Sequence, residues 1–252
     1  MSALTISFIV FACVLAGAVL GIVLRKVLPK HHLSDETKYI VGLGTGLLAT
    51  LAALVLGLLI ASAKSSFDSK SDEINKGAAI IILLDRNLRY YGPEANEARA
   101  SLRRMTVAKT ELTWFENGVQ AGVGSAGPTA GIEEVQEKLR ALVPSGDPQR
   151  WLQKRTLRLS SELAQMRWLV IDQHRSSIPT PFLVALVLWL VVIFASFGLF
   201  APTHGTAYVV IFACALSVSS AIFLILELDR PFEGLLKISD LPLREAITEI
   251  GR

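Results

Sequence analysis

The sequence predicts an all-α integral membrane protein. Three observations carry this. Four nearly uncharged apolar stretches occur, at 4–24, 39–63, 181–200 and 206–228. Each has about 20 residues or more, enough to cross a hydrocarbon core of about 30 Å. Between the second and third lies a charged segment with helical, not alternating, apolar spacing.

The first stretch carries Gly17 and Gly21, a small-xxx-small pair suited to close helix contact in lipid. Arg25-Lys26 follows it directly, with no small-residue cleavage site and no basic segment before it. It therefore reads as a retained helix and not a signal peptide.

The second stretch has two faces. Gly42, Gly46, Thr50, Ala53, Gly57 and Ala61 recur every three or four residues as a small face, expected to pack against the first span or a neighbouring subunit. Leu48, Leu51, Val55, Leu58 and Ser62 fall on another. Either this is the central helix of a bundle, or it lines a pore with Leu48, Leu51, Val55 and Leu58 as an apolar constriction. Lys64 at its end is a snorkelling lysine or, with Ser62, the mouth of that pore.

The helical pattern runs on past the membrane through Phe67, Ile74, Ala78, Ile81, Leu84 and Leu88, and Tyr91-Gly92-Pro93 ends it. A second helix is expected over 94–117, with Leu102, Met105, Leu112 and Phe115 apolar. The small, uncharged segment 118–131 reads as a loop. A short amphipathic helix covers 132–143. Asp147-Pro148 then starts a long helix to about Ser176, broken by Pro179 and Pro181. The domains implied are 1–63 and 179–228 in the membrane, a helical cytoplasmic domain at 64–178 and a cytoplasmic C-terminal segment at 229–252.

Composition excludes several classes. The chain is 252 residues, 52% hydrophobic, with a net charge of +3 and a mean hydropathy of +0.48. So small an excess does not point to nucleic acid. Cys13 and Cys214 both lie in apolar spans, and no CxxC occurs, so no disulfide framework is expected. His31-His32 are adjacent and cannot share a helix face as metal ligands. His174 and His204 stand alone, and Ser217, Ser219 and Ser220 have no paired base. No enzyme signature, metal site or cofactor site is read.

Four crossings put both termini and the middle segment on one side. Eight Lys and Arg flank the spans there (Lys64, Lys70, Lys76, Arg167, Arg175, Arg230, Lys237, Arg244), against four opposite (Arg25, Lys26, Lys30, Lys38). Positive charge concentrates on the cytoplasmic side, so the middle segment is placed there.

Glu227, Asp229, Arg230 and Glu233 crowd the exit of the fourth span. They form either a solvated helix end or an ion-pair node with Arg86, Arg89, Arg167 or Arg175.

The run Phe67-Asp68, Glu73-Ile74-Asn75 and Asp85, with Asp229-Arg230-Pro231-Phe232-x-Gly234 near the end, resembles the bestrophin-like domain family of bacterial membrane proteins. The likeness covers nearly the whole chain. Ala78, Ile81 and Leu83 stand where that family usually has a glycine and a tyrosine-Leu-Arg step. The more distant resemblance to bestrophin anion channels implies a homo-oligomer, usually of five subunits, in the bacterial inner membrane. It also implies small inorganic anions passing a pore lined by the second span. The tryptophan-rich stretch and the acidic calcium clasp of those channels are missing. The alternative is a non-conducting scaffold or signalling protein whose cytoplasmic helices bind a partner.

Overall fold

A computed structural model describes residues 2–29, 34–114, 131–172, 180–202, 204–232 and 234–250. They form helices α1 (Ala3–Val27), α2 (Asp35–Tyr91), α3 (Asn96–Trp114), α4 (Ile132–Ala141), α5 (Asp147–Asp172), α6 (Thr180–Phe200), α7 (Gly205–Leu228) and α8 (Leu241–Glu249). No strand occurs among the described residues. Helices α1, α2, α6 and α7 are long and apolar enough to span a membrane. The chain divides into two compact units, Met1–Phe67 with Ser176–Arg230, and Asp68–Arg175 with Pro231–Arg252.

The first unit is organised by glycine. A Cβ on Gly17 would lie 2.7 Å from the Val191 carbonyl oxygen. One on Gly21 would drive into the backbone of Ala195 and Leu199. From the other side, Gly198 lies against the backbone of Ala18 and Ile22. The pairs run in the same order along both helices, so α1 and α6 are parallel neighbours in near backbone contact. In lipid the apolar surround offers no hydrophobic drive, and such close van der Waals approach holds helices together. Around this seam Val10, Val14 and Ala18 pack with Leu186, Leu190 and Phe194 of α6, and with Ala215, Ile222 and Ile225 of α7. Phe11 meets Phe212 edge-on, with ring centroids 5.5 Å apart. Arg25 Nη1 donates to the Ala201 carbonyl just past α6, where helix-end carbonyls lack partners of their own.

Helix α2 is unbroken over 57 residues, about 85 Å at 1.5 Å per residue. The expected continuation beyond the apolar stretch is therefore present, with Ala78, Ile81, Leu84 and Leu88 buried. Gly92 ends it at φ 125°, a conformation L side chains rarely adopt, and a Cβ there would also strike the Glu94 carboxylate at 2.7 Å. A 3-10 turn at Pro93–Ala95 leads into α3.

In this second unit Leu84, Leu88, Tyr91, Ala98 and Leu102 enclose a core with Ile132, Val135 and Leu139 of α4. Helix α5 also caps its neighbours. Gln149 Nε2 donates to the Tyr91 carbonyl at 2.9 Å. Gln153 Nε2 donates to the carbonyls of Leu139 and Leu142 at 2.9 and 2.8 Å. Ala246 of α8 and Ile250 beyond it pack on Ala78 and Ile81. The helix expected over 94–117 spans Asn96–Trp114. Its last residues, the loop up to 130 and the end of the helix expected to Ser176 lie outside the described residues.

Candidate functional site

The apolar half of α2 turns one stripe inward. Ala52, Leu59 and Ala63 are buried in the core of the first unit, with Leu48, Val55 and Leu56 packed against it. The four residues expected to share a pore face are thus divided. Leu48 and Val55 are half-buried on this packing side. Leu51 and Leu58 point outward, 40% and 64% exposed.

The small stripe also faces outward. A Cβ placed on Gly42, Gly46 or Gly57 meets nothing within 4 Å, and Ala61 is exposed. The glycine contact of α1 is made with α6. Gly42 and Gly46 instead border an apolar groove of about 780 Å³, with Thr45, Phe197, Val210 and Cys214 on its other walls. Lys38 stands at its edge, 3.0 Å from the Asp35 carboxylate.

At the end of the apolar stretch Ser62 and Lys64 are exposed. The Lys64 ammonium lies 5.7 Å from the Phe67 ring centroid, close enough for a cation–π attraction. Two residues singled out for different reasons, a mouth cation and a motif aromatic, are thus in contact one helical turn apart.

In the second unit Asp68 and Asn75 are exposed and Glu73 is half-buried. Asp85 is buried, 6% exposed. It accepts two hydrogen bonds from Arg99 of α3, Nε to Oδ1 at 2.8 Å and Nη2 to Oδ2 at 3.0 Å. These bonds raise the Arg99 pKa above its usual value and keep it charged. The reverse turn at Gly92 makes this pairing possible, because Asp85 and Arg99 are equidistant from it along the chain. That symmetry was the signal in the sequence, and Arg99 was not among the residues expected there.

A second pairing ties α3 to α4. Glu134 accepts from Ser101 Oγ at 2.9 Å and Arg104 Nη2 at 3.1 Å. The Ser101 bond, then Arg104 and Lys138, hold its carboxyl below the ordinary range.

The closing motif forms a compact loop. Pro231 is buried, its carbonyl accepts from the Ile238 amide at 2.8 Å, and Gly234 takes φ 83°. Asp229 and Arg230 stand half-buried just before it, as does Phe232 within it. Arg86 and Arg89 are exposed. Arg175 and the side chain of Arg167 lie outside the described residues, as do His31, His32 and His174.

Ser217 and Ser220 donate to the carbonyls of Ala213 and Leu216, one turn back on α7, each at 2.8 Å. Ser219 Oγ is buried without a hydrogen-bond partner among the described residues. Among those residues no three His, Cys, Asp or Glu side chains gather as a metal site would require.

No curated protein and no solved structure matches the chain. The family model described as Bestrophin-like domain matches residues 11–243. It takes in α1 from residue 11 onward, the other three apolar helices, Phe67-Asp68, the Asp85–Arg99 bridge and the Asp229–Gly234 loop. The chain belongs to the bestrophin-like family.

Proposed function

We propose that this protein is a homo-oligomeric ion channel in which α2 of each copy faces a central, anion-permeable path. The observation that carries the reading is the outward face of α2. Leu51 and Leu58 are exposed, and a Cβ on Gly42, Gly46 or Gly57 beside them would meet nothing within 4 Å among the described residues. A small, apolar surface of this kind suits close contact with a second helix and a dry lining beyond it. Leu51 and Leu58 form the dewettable constriction. Leu48 and Val55, packed on the protomer core, back it from behind. Gly42, Gly46, Gly57 and Ala61 meet the neighbouring subunit. Ser62 and Lys64 ring the mouth, where positive charge favours small inorganic anions.

In this reading the chain crosses the bacterial inner membrane four times, two crossings on either side of the helical middle segment. The middle segment and both termini are cytoplasmic, and the protein is not an enzyme. Five subunits is the number the family likeness suggests.

Chloride efflux from liposomes holding the purified protein tests this. Leu51→Ala is expected to raise efflux over the native protein. Absence of efflux from both, in protein shown to be folded and oligomeric, would move the reading to a non-conducting scaffold.

A further inference from the structure

We propose that the loop after α7 is a membrane anchor, with Leu235 and Leu236 seated at the boundary between phospholipid headgroups and acyl chains. Helix α7 has 24 residues, about 36 Å at 1.5 Å per residue. A hydrocarbon core of about 30 Å therefore puts its last turn among the headgroups. The amides of Asp229 and Arg230 still bond to the carbonyls of Ile225 and Glu227, each at 3.1 Å, so both residues stay on that turn. Pro231 is the next residue in the chain.

The loop then closes on itself. The Ile238 amide donates to the Pro231 carbonyl at 2.8 Å, and both residues are buried. Between them Gly234 reverses the chain at φ 83°, a conformation that favours glycine. With its ends fixed, the tip reaches no further than four residues from Pro231, about 14 Å. What the tip presents is apolar. Leu235 is 78% exposed and Leu236 40%, with the exposed Lys237 beside them. Leu241, three residues past the loop, is also exposed.

Three exposed leucines thus fall within seven residues. Elsewhere in the second unit the large apolar side chains so exposed, among the described residues, are Leu83, Tyr90, Val143 and Trp151, no two closer than seven residues in sequence. Single exposed apolar residues are ordinary, whereas a cluster marks a contact surface. A two-leucine tip is small for a protein interface, which takes about 20–30 residues a side. At the exit of a membrane span it has the chemistry of an interfacial anchor, whose apolar side chains sit about 5–10 Å into the headgroup boundary. Lys237 can keep its stem in that layer and its ammonium among the phosphates. The nearest described carboxylate beyond the tip, Asp240, is paired with Arg244. This anchor rests on α7 crossing the membrane and not on conduction.

The test places a nitroxide spin label on Leu235→Cys or, for comparison, on Val143→Cys, where the native side chain is 85% exposed. Both are made in the full chain carrying Cys13→Ala and Cys214→Ala, held in phospholipid nanodiscs. Collision with oxygen, which concentrates in lipid, is compared with collision with a nickel chelate, which stays in water. The label at position 235 is expected to favour oxygen and the label at position 143 nickel. Leu236→Asp, at an exposed site, should leave the thermal midpoint unchanged and turn the label at 235 toward nickel. A preference for nickel at 235 without that substitution overturns the proposal. So does shielding from both reagents, which would make protein the occupant, whether a second copy or another part of the chain.

Discussion

Arg99 grips Asp85 with both arms of its fork, joining the last turns of α2 to the first turns of α3 across the Gly92 reversal. Removing one partner strands a buried charge, which costs about 3–5 kcal/mol. Asp85→Ala is therefore expected to lower the midpoint of helix unfolding sharply. Arg99→Lys keeps the charge but not the paired geometry, and should lose about 1–3 kcal/mol. The double variant Asp85→Leu/Arg99→Met should recover much of the loss, because well-packed apolar residues can replace a buried pair. Circular-dichroism melts of the detergent-purified protein check all three.

The two sets of glycines should respond in opposite ways. Gly21→Ala and Gly198→Ala push a methyl into the facing backbone. Each should lose about 1–3 kcal/mol through overpacking. Gly57→Ala has open space and should leave the protomer's melt unchanged. If a second copy seats on that stripe, the same variant should weaken the oligomer, read by native mass spectrometry.

Leu58 and Leu59 are adjacent on α2 and face different surroundings. Leu59 is 5% exposed and Leu58 is 64% exposed. Leu59→Ala leaves a cavity in the helix core. It should lose about 2 kcal/mol, the low end for buried leucine, since lipid withholds the hydrophobic part of the loss. Leu58→Ala should leave the melt intact and alter anion efflux instead. Identical effects of the two on melting and efflux would contradict the division of faces.

Two side chains in the second unit should contribute to the pH dependence of stability. The Glu134 carboxyl is held below its ordinary 4.5, first by the Ser101 hydroxyl. Its contribution is present above that value and is lost as pH falls through the lower folded pKa. Glu134→Gln should flatten the acid limb of the melting profile. Tyr91 is raised above 10.0 by burial first and then by the Glu94 charge. Its contribution is present below 10.0 and is lost as pH rises toward the folded value. Its hydroxyl is buried without a hydrogen-bond partner among the described residues. Tyr91→Phe should therefore flatten the alkaline limb without lowering the neutral midpoint.

The four apolar helices were legible because a run of about 20 uncharged residues has few other uses. The unbroken α2 was legible because nothing between Asp35 and Tyr91 stops a helix. Partner choice was not. Gly17 and Gly21 announce a close approach, but a small stripe says how near a neighbour comes, not which neighbour it is. The partner proved to be α6, with Val191 facing Gly17 and the backbone of Ala195 and Leu199 facing Gly21. The same gap let Leu48 and Val55 be grouped with Leu51 and Leu58. Periodicity alone places all four near one side of the helix, and only packing in the folded core separates them. Lys64 over Phe67 is a local contact that helical spacing allows, although a mouth cation and a motif aromatic read as separate features in the sequence.

The parallel seam between α1 and α6 has a consequence for biosynthesis. The surface that completes α1 is encoded far downstream, beyond everything from Val27 to Thr180. At elongation rates of roughly 5–20 residues per second, α1 waits on the order of ten seconds before α6 leaves the ribosome. During that interval Gly17 and Gly21 lack the α6 backbone that faces them in the finished fold. The innermost contact of the membrane unit is thus formed late in translation.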